Sequence, residues 1–390
     1  MQNIKLTIFG EFWDSQIYSK NLYIFGDSGD MYIVDWDNLI NHYFDNQPDL
    51  QTVAHISFLE SDLLYTKSAQ VILKSPVIAS HLKDKFIDLS THNISLQLDK
   101  STSRFYKHKD NPLPFPHADS EVYYSKLYVA LNEGVFATPC YSSNADAKHL
   151  KLWDAPVFGI SASNSYTAIA LSAGSDGLFE MSAEKNNHNI LSKPTLVSDK
   201  HCSSCDWSFY NINATSHIYS SFFAAYKKIP DSKNKRKFHR QLDKIIPTEE
   251  IFHATGYSWG SHDKMYMYNN GIIESIQYSA NRDGTPSFRK IGSLPLQNWK
   301  GSVISASVAP FGTVVECENA IIVIRSDGRV ITLPGEPVNW RIFSNSKYYK
   351  NQLHIIYDDR LEIHSFYHDY FVEQDVKTKQ SGISMSQGNG

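Results

Sequence analysis

The sequence predicts an all-β chain made by repeating one small β unit, and three observations predict it. Aromatic residues supply 13% of the 390 residues (23 Tyr, 21 Phe, 7 Trp) against only 15 Pro and 19 Gly, a mixture that suits pleated, half-buried strands. Helical periodicity, with apolar residues at i, i+3, i+4 and i+7, is confined to residues 37–43 and 240–246. Paired β runs around a tight Gly, Asn or Asp turn, the short-range signature of a hairpin, recur along the chain instead.

The paired runs are LYIFGDSGDMYIVDW (22–36), KLYVALNEGVFATP (126–139), AIALSAGSDGLFEM (168–181), KMYMYNNGIIESIQY (264–278), AIIVIRSDGRVITLP (320–334) and LHIIYDDRLEIHSF (353–366). Turn centres at Ser28, Glu133, Ser175, Asn270 and Asp327 are about 105, 42, 95 and 57 residues apart. The two long steps are about twice the others, and each holds a weaker β run near its middle: QVILKSPVIASH (70–81) and HIYSSFFAAYKK (217–228). Filling both gives seven units, with the hairpin at Asp358 as the outer half of the seventh. Units of this length, repeated as four strands, resemble the β-propeller superfold. No subclass signature accompanies them: Trp36-Asp37 and Trp153-Asp154 lack an upstream Gly-His at a regular offset, and there is no kelch Gly-Gly pair. The expectation is one propeller of seven four-stranded blades over residues 1–375, a basic insertion at 227–244, and a mobile, disordered tail at 376–390. A fold of this kind does not by itself specify a function.

Charge and cysteine usage narrow the setting. The net charge of −4 and pI near 6.5 give the whole chain no bias toward phosphate backbones or anionic lipid, so only a local patch could supply one. No 18 apolar residues run together, and the N-terminus lacks a signal-peptide pattern, so no membrane partner is expected. Cys140, Cys202, Cys205 and Cys317 are too few for a disulfide scaffold and fit a reducing, cytoplasmic location. Two sequons, at Asn93 and Asn213, are expected by chance at this length.

Charge is unevenly spread. KKIPDSKNKRKFHRQLDK (227–244) holds eight Lys or Arg against Asp231 and Asp243, a local charge of +6. Residues 1–62 hold ten acids against Lys5 and Lys20. Within the basic run, Lys233, Lys235, Arg236, Lys237 and Arg240 can grip an acidic partner or a phosphate backbone, with Phe238 and His239 beside them to stack on a base.

Other motifs are incomplete. Gly256-Tyr257-Ser258-Trp259-Gly260 has the G-x-S-x-G spacing of a nucleophile elbow, but KMYMY follows where an elbow requires a helix. Cys202 and Cys205 with His201 offer three candidate metal ligands, and a structural zinc needs four. Asp14, Glu316 and Glu318 are the carboxylates placed near strand ends for glycoside chemistry. Trp13, Trp207, Trp259 and Trp340 are candidate contact anchors in loops. With no complete catalytic constellation and no cofactor motif, the leading expectation is a non-catalytic scaffold or recognition subunit binding a protein partner through its loop face and basic insertion. A propeller hydrolase using the central channel, and a nucleic-acid-binding module acting through residues 233–240, are the alternatives.

Overall fold

The computed structural model describes residues 3–140, 149–183, 193–218, 220–230, 238–281, 285–296, 301–325 and 328–366. They form seven antiparallel meander sheets and a helical insertion. Blade 1 is Phe12–Tyr18, Asn21–Gly26, Asp30–Asp35 and Tyr106–Asp110; blade 2 is Asp119–Tyr123, Lys126–Leu131, Gly134–Pro139 and Leu150–Trp153. Blade 3 is Gly159–Ala162, Ala168–Ser172, Leu178–Ser182 and Thr195–Ser198; blade 4 is Ser204–Ser208, Asn211–Thr215, Phe222–Pro230 and Phe238–Pro247. Blade 5 is Tyr257–Ser261, Lys264–Asn269, Ile272–Ala280 and Pro286–Pro295; blade 6 is Ser305–Ala309, Gly312–Cys317, Ala320–Arg325 and Val330–Pro334. Blade 7 takes Asn339–Ile342, Gln352–Tyr357 and Arg360–Ser365 from the end of the chain and Ile4–Phe9 from its beginning. The chain is a seven-bladed β-propeller.

Two compact units are distinguished. The first runs to Lys109 and resumes at Ala309–Thr313 and from Ile324 onward; the second comprises Asp110–Val308 and Val314–Val323.

In the first unit, Ile4–Phe9 pairs antiparallel with Arg360–Ser365, Leu6 opposite Ile363. Ile4, Leu6 and Ile8 share one face of the strand and are fully buried, so a one-residue slip would expose all three. Between the third and fourth strands of blade 1 the chain makes helices α1 (Trp36–Phe44), α2 (Pro48–Phe58), α3 (Lys67–Ile72) and α4 (Pro76–Thr91). Asp35 caps α1 by accepting from the Asn38 amide, and Trp36, Leu39, Ile40 and Phe44 form its buried face. Trp36 Nε1 donates to Phe58 O at 2.9 Å. The orphan carbonyls at the end of α2 accept from blade 7: Gln352 Nε2 reaches Phe58 O at 2.9 Å and Asn351 Nδ2 reaches Ser57 O at 3.0 Å. After α4, Ile94–Gln97 adds a parallel fifth strand outside Ile4–Phe9 and covers an edge that would otherwise be unpaired.

In the second unit the first and second strands of one blade are hooked to the first strand of the next. Asp119 Oδ2 accepts from the Ile160 amide at 2.7 Å, Trp207 Nε1 donates to Ser161 O at 2.8 Å, and Thr215 Oγ1 donates to Ser258 O at 3.0 Å. Glycine is obligatory where a third strand begins under the carbonyl of the fourth. At Gly134 (φ +133) and Gly177 (φ +100) a Cβ would fall 2.0 Å from Trp153 O and 2.1 Å from Ser198 O.

Several expectations change. The run QVILKSPVIASH is helical, in α3 and α4, not the core of a blade. The hairpin at Asp358 belongs to a blade of its own, so seven is reached by a different partition of the chain. The 240–246 run lies in the strand Phe238–Pro247; its apolar spacing comes from one strand that is exposed at one end and packed at the other. Residues 367–390, including the expected tail, lie outside the described residues. No helix among the described residues is long and apolar enough to cross a membrane.

Candidate interaction surface

The basic run is not an excursion between blades. It is the connection and distal half of the hairpin formed by the third and fourth strands of blade 4, nine and ten residues long where the first two strands have five each. Pairing continues to its end, Lys228 opposite Arg240 and Pro230 opposite Phe238. Lys227–Pro230 and residues 241–244 are exposed, and Lys227 Nζ meets Asp243 Oδ1 at 2.5 Å. Lys233, Lys235, Arg236 and Lys237 lie in the segment that connects the two strands, outside the described residues.

Arg240 is placed differently from the rest. Its side chain is only 7% exposed, with the guanidinium 4.0 Å from the Tyr226 ring centroid, 4.7 Å from Trp207 and 5.2 Å from Tyr166. It pairs with Glu180 of blade 3 and donates to Tyr210 O at 2.7 Å. Burial is what pulls its pKa down, to about 10. Arg240 therefore anchors the hairpin against blade 3, and its donors are directed inward. Lys228 lies over the Tyr210 ring at 4.6 Å. At the hairpin base, Phe223 packs on Tyr278 and Phe288 of blade 5, with centroids 5.2 and 5.4 Å away.

The meander topology puts Pro230 and Phe238 at one end of blade 4, and the connecting segments around 199–203, 216–221 and 248–256 at the other. Those loops border an open cleft of about 650 Å³ lined by Lys200, His201, Ile218, Ser220, Glu249 and Gly256. His201 Nδ1 is 2.8 Å from Ser216 Oγ. The Cys202 thiol donates to Ser204 O at 3.3 Å. Cys205 is buried, and a hydrogen bond to Cys202 together with burial raises its thiol pKa well above the usual value. Among the described residues no group of three or more His, Cys, Asp or Glu could hold a metal ion.

The remaining candidates are woven into the sheets. Ser258 lies in a strand, and its hydroxyl donates to Thr248 Oγ1 at 2.9 Å. Asp14 is fully buried and accepts from Arg341 Nε and Nη2 at 2.8 Å each. Glu316 accepts from Ser305 Oγ at 2.5 Å, and Glu318 from Ser302 Oγ at 3.5 Å. Asp206, which sequence reading passed over, is the perturbed carboxyl of the first strands: burial, with Asp119 nearby, pushes it up to about 7 even though Ser307 donates to it at 3.0 Å. Trp13, Trp207, Trp259 and Trp340, expected in loops, each stand in the first strand of a blade, and Trp207 and Trp259 are buried. The recurrence of a polar residue beside Trp in DWS, SWG and NWR is the signal that could have marked these strands.

No family model matches the chain, and no curated protein matches it in sequence. Among solved structures it is similar to the β-propeller domain of Cps50 (Swd1) from Myceliophteria thermophila, with a TM-score of 0.52 and 10% identity over 94% of this chain and 99% of that one. At this identity the likeness is one of fold.

Proposed function

We propose that the chain is a non-catalytic recognition subunit that binds a protein partner through its loop face and the basic hairpin of blade 4. The observation that carries the reading is a long hairpin, exposed over the outer half of its described strands, whose connecting segment carries four cations in the sequence (Lys233, Lys235, Arg236, Lys237) and whose waist is fixed by the caged Arg240. A rigid stem lowers the ordering cost of association, and concentrated positive charge selects an acidic surface. Ser258, bonded to Thr248, supports a structural role for the Gly256–Gly260 motif. Four buried cysteines, none in a disulfide, support work in a reducing compartment, the cytoplasm.

The test is cross-linking and mass spectrometry in the native host, comparing wild type with a Lys233→Glu, Lys235→Glu, Arg236→Glu, Lys237→Glu variant. Loss of one stoichiometric partner with unchanged thermal stability supports the reading. An identical partner set, or a wild-type protein that purifies alone, refutes it.

A further inference from the structure

At the α3–α4 corner four exposed aliphatic side chains are crowded into one short stretch of chain that no other part of the described chain covers. Val71, Ile72, Val77 and Ile78 are 65%, 55%, 78% and 45% exposed, four aliphatic side chains within eight residues on either side of a tight helix–helix turn. Leu73 and Leu82 pack on the core of the unit, and farther along α4 Phe86 and Leu89 are buried in it. Around this tip the charge has one sign: Lys67, Lys74 and Lys83 fall between Asp62 and Asp84 with no acid among them, and Lys67 and Lys74 are exposed. The neighbouring sequence is acidic, so the basic, apolar corner is a local feature.

Each possible occupant makes a different demand. A second copy of the chain would bring lysines against lysines. A groove on an acidic protein reads a helix as one stripe of anchors at i, i+3 or i+4, and i+7. Here the exposed aliphatics are sequence neighbours, 71 with 72 and 77 with 78, which point about 100° apart around a helix axis. The corner is apolar around its tip instead of along one side. A fluid apolar phase accepts that shape without a matching pocket, and an anionic headgroup layer meets the surrounding lysines.

We infer that the α3–α4 corner is an interfacial wedge that adsorbs the protein to anionic phospholipid bilayers. This is surface adsorption, not spanning, and it involves residues separate from the basic hairpin, so either role can fail without the other.

The test is co-sedimentation of the full chain with vesicles of phosphatidylcholine alone and of phosphatidylcholine mixed with phosphatidylserine. Binding to the mixed vesicles is expected, weakened by salt. It should fall about fivefold for each of Lys67→Ala and Lys74→Ala, and be lost in the quadruple variant Val71→Ser, Ile72→Ser, Val77→Ser, Ile78→Ser. Thermal melts of the same variants, expected to match wild type, separate loss of binding from loss of fold. Absence of binding to the mixed vesicles overturns the inference, as does binding that survives the quadruple substitution. Capture by immobilised polyglutamate without vesicle binding assigns the corner to an acidic protein and also overturns it.

Discussion

Lys5, on the first strand of the chain, donates to Glu362 on the last at 3.2 Å across 357 residues of sequence. Glu362 also accepts from Arg360 Nε at 2.9 Å and from His364 Nε2 at 3.0 Å. Asn3 Nδ2 lies 2.5 Å from His364 Nδ1, and burial lowers the His364 pKa against the opposing pull of Glu362. The first and last described strands thus share one partly buried polar knot within blade 7.

That knot predicts an acid-sensitive closure. Burial opposes the charge on Glu362, but the bonds from His364 and Arg360 outweigh it and hold the carboxyl at about 2. A depressed acid contributes stability above its unfolded value near 4.5, and that stability is lost as pH falls from there through about 2. Glu362→Gln should cost on the order of 3 kcal/mol at pH 7 and almost nothing near pH 2. Urea unfolding across that range checks it; a pH-independent difference would show that shape, not charge, matters at this position.

Arg240 predicts an effect on stability where sequence reading expected one on binding. Arg240→Ala removes a buried ion pair and three ring contacts, and should destabilise by about 2–4 kcal/mol. Arg240→Lys should recover little, because an ammonium cannot spread over three rings and still reach both Glu180 and Tyr210 O. Hydrogen exchange should quicken in Phe222–Pro247 while blade 2 keeps its protection.

The repeat was legible in the sequence because tight turns between apolar runs are written in neighbouring residues: GDSGD, NEG, GSDG and NNG each join the second and third strands of a blade, and SDG joins the third and fourth strands of blade 6. What misled the reading was the short run from Val71 to Ile78, in which aliphatic residues on both sides of Lys74 imitate a strand. A six-residue helix and the first turn of the next are too short to display a helical period. The N-terminal strand of blade 7 was not legible, since its partner lies at the other end of the chain. Nor was the role of Arg240, which depends on Tyr166 and Glu180 arriving from another blade. Net charge marks a basic segment; it does not say which cation is caged and which is free to meet solvent.

Asp206 predicts stability with the opposite pH dependence from Glu362. Its folded pKa, pushed up to about 7 chiefly by burial, exceeds the usual 3.8. Folding therefore pays nothing extra below about 4 and bears the full cost of a buried carboxylate above about 7. Asp206→Asn keeps an acceptor for Ser307 and removes the charge. The variant should match wild type at pH 4 and exceed it by on the order of 2–4 kcal/mol at pH 8, read from thermal or denaturant melts at the two pH values. A variant less stable at pH 8 would mean that the carboxylate is paired and needed.

Two glycines within β strands or at their edges separate backbone necessity from mere occupancy. Gly177 sits at φ +100, where a Cβ would lie 2.1 Å from Ser198 O in the adjoining strand. Neither side can give: the carbonyl is that of Ser198, which is paired opposite Leu178 of the third strand, and the conformation disfavours any L side chain. Gly292, in the fourth strand of blade 5, has nothing within 4 Å of the same point and no such φ, so added carbon meets solvent and removes chain entropy from the unfolded state. Gly177→Ala should lose about 3 kcal/mol or more, and Gly292→Ala should hold or gain a few tenths. Equal melting temperatures for the two variants would mean that the Ser198 carbonyl does not require glycine at the Asp176-Gly177 turn.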